Sequence, residues 1–219
     1  MKIFEFSEPD SKFVSSYDGQ NHHQWNSLGG PVAAIRKGVR DHCLAQQKYR
    51  CAYCRMEKKE LHGMTWDVDH VIPKALHPQY LYEPYNLVVS CKACNIAKSD
   101  CDVLTRKLRR AEKLPVDSGS YKIVHPYFDV YSHHFELIVI RGRITHRPKN
   151  GHKAKETFLM CDLVRFSYAF GEWDDFNYAI VSSFAEFVEK CPPNASKDDI
   201  AKFMGVLTFT IQADFDLGA

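Results

Sequence analysis

The sequence predicts an α+β fold: a small stapled core, a flanking hairpin and a C-terminal helical region. Three observations predict it. Two C-x-x-C pairs, Cys51-Ala52-Tyr53-Cys54 and Cys91-Lys92-Ala93-Cys94, enclose residues 55–90, which include a run rich in β-formers. Two further β-forming runs, 135–140 and 143–146, meet at Arg141-Gly142. Beyond them, apolar and aromatic residues recur at helical spacing.

Each element follows in chain order. Residues 1–30 show no clean period and end in Leu28-Gly29-Gly30-Pro31, which reads as loop punctuation. Over 31–48, Val32, Ile35, Val39 and Cys43 recur at helical spacing, with Pro31 at the start, where its missing N–H is harmless. In 65–73, Trp66 and Val68 alternate with polar neighbours up to Pro73, which reads as a short strand; 85–90 reads as a second extended piece. Residues 94–113 contain no Pro or Gly and are dense in charge, which predicts an exposed helix. Residues 115–132 read as loop, and the runs on either side of Arg141-Gly142 as a hairpin. Three amphipathic stripes follow: Leu159, Leu163, Phe166 and Phe170; Trp173, Phe176, Ile180 and Phe187; and Ile200, Phe203, Met204 and Leu207, the last opened by Ser196 with Asp199 three residues on. This divides the chain into an N-terminal segment (1–30), a stapled domain (31–113) and a hairpin plus helical region (114–219).

Composition sets outer bounds. Hydrophobic residues at 45% and charged residues at 26% are ordinary for a globular chain. No stretch is apolar enough for a signal peptide or a membrane span, so the expected compartment is the cytoplasm and no membrane partner is expected. Disulfides are the poorer reading of the eight cysteines there. Cys43, Cys101, Cys161 and Cys191 read as small buried hydrophobes. Residues 36–113 carry 16 Lys/Arg against 9 Asp/Glu, while 171–219 carry 3 against 9. A basic half beside an acidic half suggests a polyanionic partner for the first, with an ordinary solvated surface as the alternative.

Two C-x-x-C pairs have the spacing that lets two knuckles offer four thiolates to one tetrahedral ion, so Cys51, Cys54, Cys91 and Cys94 are expected to hold a structural Zn²⁺. Between and beyond the pairs stand Trp66-Asp67-Val68-Asp69-His70-Val71-Ile72-Pro73, then Asn86-Leu87, then Asn95-x-x-Lys98. This ordered run of about 50 residues, from Cys51 to Lys98, resembles the HNH endonuclease family in the variant whose last position is Asn.

The resemblance implies a ββα-metal fold, two strands and a helix around one divalent ion, with zinc outside the catalytic centre. It implies Asp69 and Asn95 as ligands of a catalytic Mg²⁺ or Mn²⁺, His70 as general base, Asn86 as a catalytic-site brace of the loop that orients His70, and Lys98 on the following helix. General chemistry agrees. A histidine of ordinary pKa, about 6.5, is largely neutral at pH 7 and can accept a proton, and a carboxylate with an amide carbonyl suits a hard cation. On this reading Asn95 meets Asp69. Asp69 and His70 are adjacent, so a regular strand would point them to opposite faces. Asn86 also reads as a simple turn residue, and Lys98 as a solvated lysine. Lys98 and the run Arg106-Lys107-Leu108-Arg109-Arg110 are candidate nucleic-acid contacts, with a solvated face as the alternative.

The expected function is hydrolysis of DNA phosphodiester bonds, giving 5′-phosphate and 3′-hydroxyl ends as the resemblance implies. The segment HPYFDVYSHHFE at 125–136, with Arg141-Gly142-Arg143-Ile144, resembles the tail of small HNH effectors in Septu and retron-linked anti-phage systems, which implies an ATPase partner. A modification-dependent restriction enzyme or a mobile-element nuclease belongs to the same class. The rival from another class is a zinc-stabilised nucleic-acid-binding module without cleavage. The acidic 171–219 region is a candidate docking segment for a protein partner or a second copy of the chain.

Overall fold

In the computed structural model, the residues described are 1–58, 60, 64–140, 143–149, 151–168 and 196. The chain divides after Ser167 into two units. The elements below belong to the first, apart from the last residue of its final helix. The stripes at Trp173–Phe187 and Ile200–Leu207, Phe170 at the end of the first stripe, Cys191, and Asp199 of the cap expected with Ser196 lie outside the described residues, as does the hairpin tip Arg141-Gly142.

The chain opens with helix α1, Glu8–Ser15, where no period predicted one. Its signal is at the cap. The Ser7 hydroxyl oxygen accepts from the Asp10 amide, Pro9 fits the first turn, and Glu8 and Asp10 face the positive end of the helix dipole. A 3₁₀ turn, His22–Asn26, then buries Trp25. Helix α2, Gly30–Gln46, forms as its apolar spacing predicts, with Val32, Ile35, Val39 and Cys43 buried. It ends where Lys48 and Tyr49 take positive φ (53° and 56°), which swings the chain into the first cysteine knuckle.

Strand β1, Trp66–His70, pairs antiparallel with β2, Leu87–Cys91, in a register that sets Trp66 opposite Cys91 and His70 opposite Leu87. Helix α2 covers this ribbon. The Gln47 side chain extends the ladder: its amide donates to the Val89 carbonyl (2.7 Å) and accepts from the Val89 amide (2.9 Å). A two-stranded ribbon is marginal by itself, and here a helix and a cysteine cluster support it.

Helix α3, Lys92–Lys98, is far shorter than the helix expected over 94–113. It stops at Ser99, whose φ of 46° cannot continue a helix. The following run is irregular, with Val103 and Leu104 buried and Leu104 bridged to Tyr121. Charge density and the absence of Pro and Gly permit a helix, but without an apolar stripe tertiary burial decides.

A short helix, α4 (Tyr131–His134), leads into the second hairpin, β3 (Phe135–Ile140) with β4 (Arg143–Pro148). Helix α5, His152–Met160, and helix α6, Arg165–Tyr168, take the place of one continuous stripe. Asp162 at φ 47° breaks them; Leu163 is fully buried while Leu159 is 60% exposed. Cys43 and Cys161 are buried as expected, but Cys101 is exposed, because it sits in the irregular run after α3. Among the described residues no helix is long and apolar enough to cross a membrane.

Candidate active site and zinc cluster

The four knuckle cysteines come together. Cys51 and Cys54 lie in the turn after α2; Cys91 ends β2 and Cys94 sits in the first turn of α3. Their sulfurs all lie within 4.8 Å of one another, and all four residues are buried. Cys54 and Cys91 Sγ are 3.9 Å apart, close to the roughly 3.8 Å between ligands of a tetrahedral ion with Zn–S near 2.3 Å. The Cys91 amide donates to Cys51 Sγ (3.3 Å) and Arg165 Nη2 to Cys94 Sγ (3.0 Å), which offsets the charge that four thiolates would bring. The donor set and spacing fit a structural Zn²⁺.

A second set of polar residues faces a cleft of about 720 Å³, lined on one side by Asp67, Asp69, His70 and Asn95. Asp67 and Asp69 share a face of β1 by its period of two. Neighbouring His70, on the other parity, still reaches the same cleft because β1 ends there. Trp25 packs edge-on against its ring, with centroids 4.7 Å apart.

His70 is 4% exposed, and its Nε2 lies 2.9 Å from the Leu81 carbonyl. A carbonyl only accepts, so Nε2 carries the proton and Nδ1 is left unprotonated. Burial pushes the imidazole pKa down to about 3; the Leu81 bond opposes this, and the charges of Lys74 and Lys98 add to it. The ring is therefore neutral at pH 7.

Asn86 does not face the cleft. It is 0% exposed and clamps the loop after β1: its Oδ1 accepts from the Ile72 amide (2.7 Å), and its Nδ2 donates to the carbonyls of Ile72 (3.1 Å) and Tyr80 (3.2 Å). That loop delivers Leu81 to His70.

Asp69 is held from two sides. Tyr53 Oη donates to its Oδ2, and Lys98 Nζ stands 3.2 Å from each carboxylate oxygen while also donating to the His70 carbonyl (2.9 Å). Lys98, expected at the nucleic-acid surface, is instead 0% exposed. Helix α3 turns it into the core, where two acceptors compensate a charge that would be costly to bury alone. Asn95 also differs from expectation. Its amide donates to Asp67 Oδ2 (2.9 Å), not to Asp69, and Lys92 Nζ binds Asp67 Oδ1 (2.5 Å).

Arg106, Lys107, Arg109 and Arg110 are exposed, but in the irregular run, and none lines the cleft. Arg106 pairs with Glu112 (2.7 Å), and Arg110 donates to the Gly19 carbonyl (3.3 Å). Among the described residues, the cations that line the cleft are Arg36, Arg40 and Lys74. Arg36 is committed to the carbonyls of Trp25 and Ser27, whereas Arg40 Nε is buried 3.9 Å from Asp41 Oδ1, an ion pair too long to be a hydrogen bond. Tyr53, Asp67, Arg40 and Lys74 were not singled out in the sequence. Only Asp67 carried a signal there, its parity with Asp69.

Asp69 and Asn95 line one cleft, and a carboxylate with an amide oxygen is a donor set that fits Mg²⁺ or Mn²⁺ better than zinc, with Asp69 already shared by Tyr53 and Lys98. Residues 51–100 match the family model described as HNH endonuclease. Protein ea31 of Escherichia phage lambda is 28% identical over 89 residues, which cover 41% of this chain and 24% of ea31. The chain thus spans about a quarter of the length of that curated relative. No solved structure matches the chain. The chain is a mixed helix-and-strand protein whose residues 51–100, the stretch that holds the cysteine cluster and the cleft's β1 and α3, are similar to the HNH endonuclease domain.

Proposed function

We propose that the chain is a metal-dependent endonuclease that hydrolyses DNA phosphodiester bonds, with Asp69 and Asn95 as ligands of a catalytic Mg²⁺ or Mn²⁺. The observation that carries this is His70: a buried, neutral imidazole with Nε2 committed to Leu81 and Nδ1 free, in the same cleft as two oxygen donors. The cation, when bound, supplies charge beside the departing oxygen. His70 Nδ1 takes the proton of the attacking water. Leu81, held by the Asn86 clamp, fixes the ring so that this nitrogen faces the cleft. Arg40 and Lys74, which line the same cleft, contact phosphates of the bound DNA.

The test is plasmid cleavage with Mg²⁺ or Mn²⁺ titrated. Wild type should need added divalent ion and should fall silent with EDTA at levels that leave zinc bound. His70→Ala should keep zinc content and DNA affinity while losing about 10²–10⁴-fold in rate. Equal cutting by His70→Ala would refute the assignment. A wild type that binds DNA but never cuts would make the chain a binding module.

We also propose an anti-phage setting in which the chain acts with an ATPase partner, on the resemblance of the 125–136 segment to the tails of such effectors. Co-purification of an ATPase from the native host supports this reading, whereas full activity as an isolated monomer refutes it.

A further inference from the structure

We propose that Asp67 is a positioning residue that turns the Asn95 amide so that its carbonyl oxygen is the end offered to the catalytic cation. This rests on Asn95 being a ligand of that cation, as proposed above.

An asparagine side chain has two ends of nearly equal shape. Only the oxygen can ligate a cation, so an asparagine ligand needs something to choose its orientation. Asp67 makes that choice. Its Oδ2 lies 2.9 Å from Asn95 Nδ2, and an ionised carboxylate only accepts, so the end facing it must be the NH₂. The opposite end, Oδ1, is left over. Asp67 is itself held at both oxygens, Oδ1 by Lys92 (2.5 Å) and Oδ2 by Asn95 (2.9 Å). Lys92 does more than balance charge. As a pure donor, it demands an oxygen at the position it binds, so it fixes which end of residue 67 faces which neighbour.

That lock makes the inference testable by reversal. In Asp67→Asn, Lys92 holds the new amide oxygen and leaves the NH₂ facing residue 95. Asn95 then turns its oxygen toward residue 67 and its NH₂ toward the ion. In Asn95→Asp alone, two carboxylates face each other. In the double variant D67N/N95D, the amide at 67 donates to the carboxylate at 95, and that carboxylate keeps its second oxygen for the ion. The net charge is unchanged, and the shapes are nearly so.

The experiment uses the full zinc-loaded chain and titrates Mn²⁺, reading the free ion by electron paramagnetic resonance, with zinc content and circular dichroism as controls on folding. D67N and N95D should each weaken Mn²⁺ binding by about 10–100-fold, the usual cost of losing a partner that orients a ligand. The double variant should regain most of the loss. Asn95→Ala is the separate check on the underlying reading: if it binds Mn²⁺ as wild type does, Asn95 is no ligand. If Asn95→Ala weakens binding but D67N does not, or if the double variant is no tighter than D67N, the positioning role of Asp67 is overturned. A variant that loses zinc is scored through the isosteric double variant, whose failure to recover counts against the proposal.

Discussion

Asn86→Ala tests whether the loop behind His70 is held by one side chain. The bonds lost are unequal. The Ile72 amide has Asn86 Oδ1 as its acceptor at 2.7 Å, so alanine strands a buried donor, at about 2–3 kcal/mol. The Ile72 carbonyl loses the bond from Nδ2, at about 1 kcal/mol. The Tyr80 carbonyl loses little, because it still accepts from the Glu83 amide (3.3 Å). The total is about 3–4 kcal/mol, a large part of the roughly 5–15 kcal/mol available to a domain. With m near 2 kcal/mol/M, the urea midpoint should fall by about 1.5–2 M, measured with zinc in fixed excess because ligand concentration moves the midpoint. Cleavage should fall further than the folded fraction does, since Leu81 rides on this loop. Asn86→Asp should do no better: it keeps the Ile72 amide but sets a buried carboxylate against two carbonyls. A midpoint shift under about 0.5 M would refute the reasoning, because the Ile72 amide would then have another acceptor.

Two further outcomes follow from the same geometry. His125 is buried, and its pKa is lowered to about 3, chiefly by desolvation, while Asp129 raises it and Lys153 lowers it. The ring is neutral in the fold, so stability is level above pH 6.5 and falls as the pH drops from there toward 3, by about 2 kcal/mol at pH 5 for this residue. His125→Phe should flatten that part of the acid slope in urea titrations at saturating zinc; an unchanged slope would show that His125 protonates freely. For DNA, Arg40→Ala and Lys74→Ala should each lower the salt slope of binding by about one phosphate contact, roughly 0.9 in log K against log salt. Joint alanine substitution of Arg106, Lys107, Arg109 and Arg110 should change it less, and the reverse ranking would move the interface to that run.

The cysteine cluster was legible because its information is local: spacing alone brings two pairs of thiols within reach of one ion. Strand β1 was legible from its alternation, and α2 from its period. The exposed-helix expectation for 94–113 came from composition alone, which does not say where side chains are buried. Lys98 is the residue that shows this. Its charge reads as surface in any one-dimensional account, yet α3 carries it to Asp69 and the His70 carbonyl. Helix α1 had a legible start, Ser7 with Asp10, but no apolar period to support it. Tyr53 and Asp67 stood in plain view as spacers, between two cysteines and beside a tryptophan. Their roles need the third dimension, because each acts on a residue from a different element.

Lys98 and Asn95 explain how so short a helix fixes the site. They are three residues apart, so both point from one face of α3, and that face meets β1. Asn95 engages Asp67 and Lys98 engages Asp69, so one turn of helix is matched to one two-residue step of strand. The helical step rises about 4.5 Å and the strand step about 6.7 Å, and the long lysine side chain spans the difference where a shorter residue would fall short. The two rungs pin the register. A slip of one residue in β1 would put Val68 where a carboxylate must be and turn His70 to the other face. Cys91 and Cys94 anchor the start of α3, and Tyr53, between Cys51 and Cys54, holds Asp69 from the other side. The two cysteine pairs therefore set the positions of Asp69 and Asn95 through short, hydrogen-bonded links.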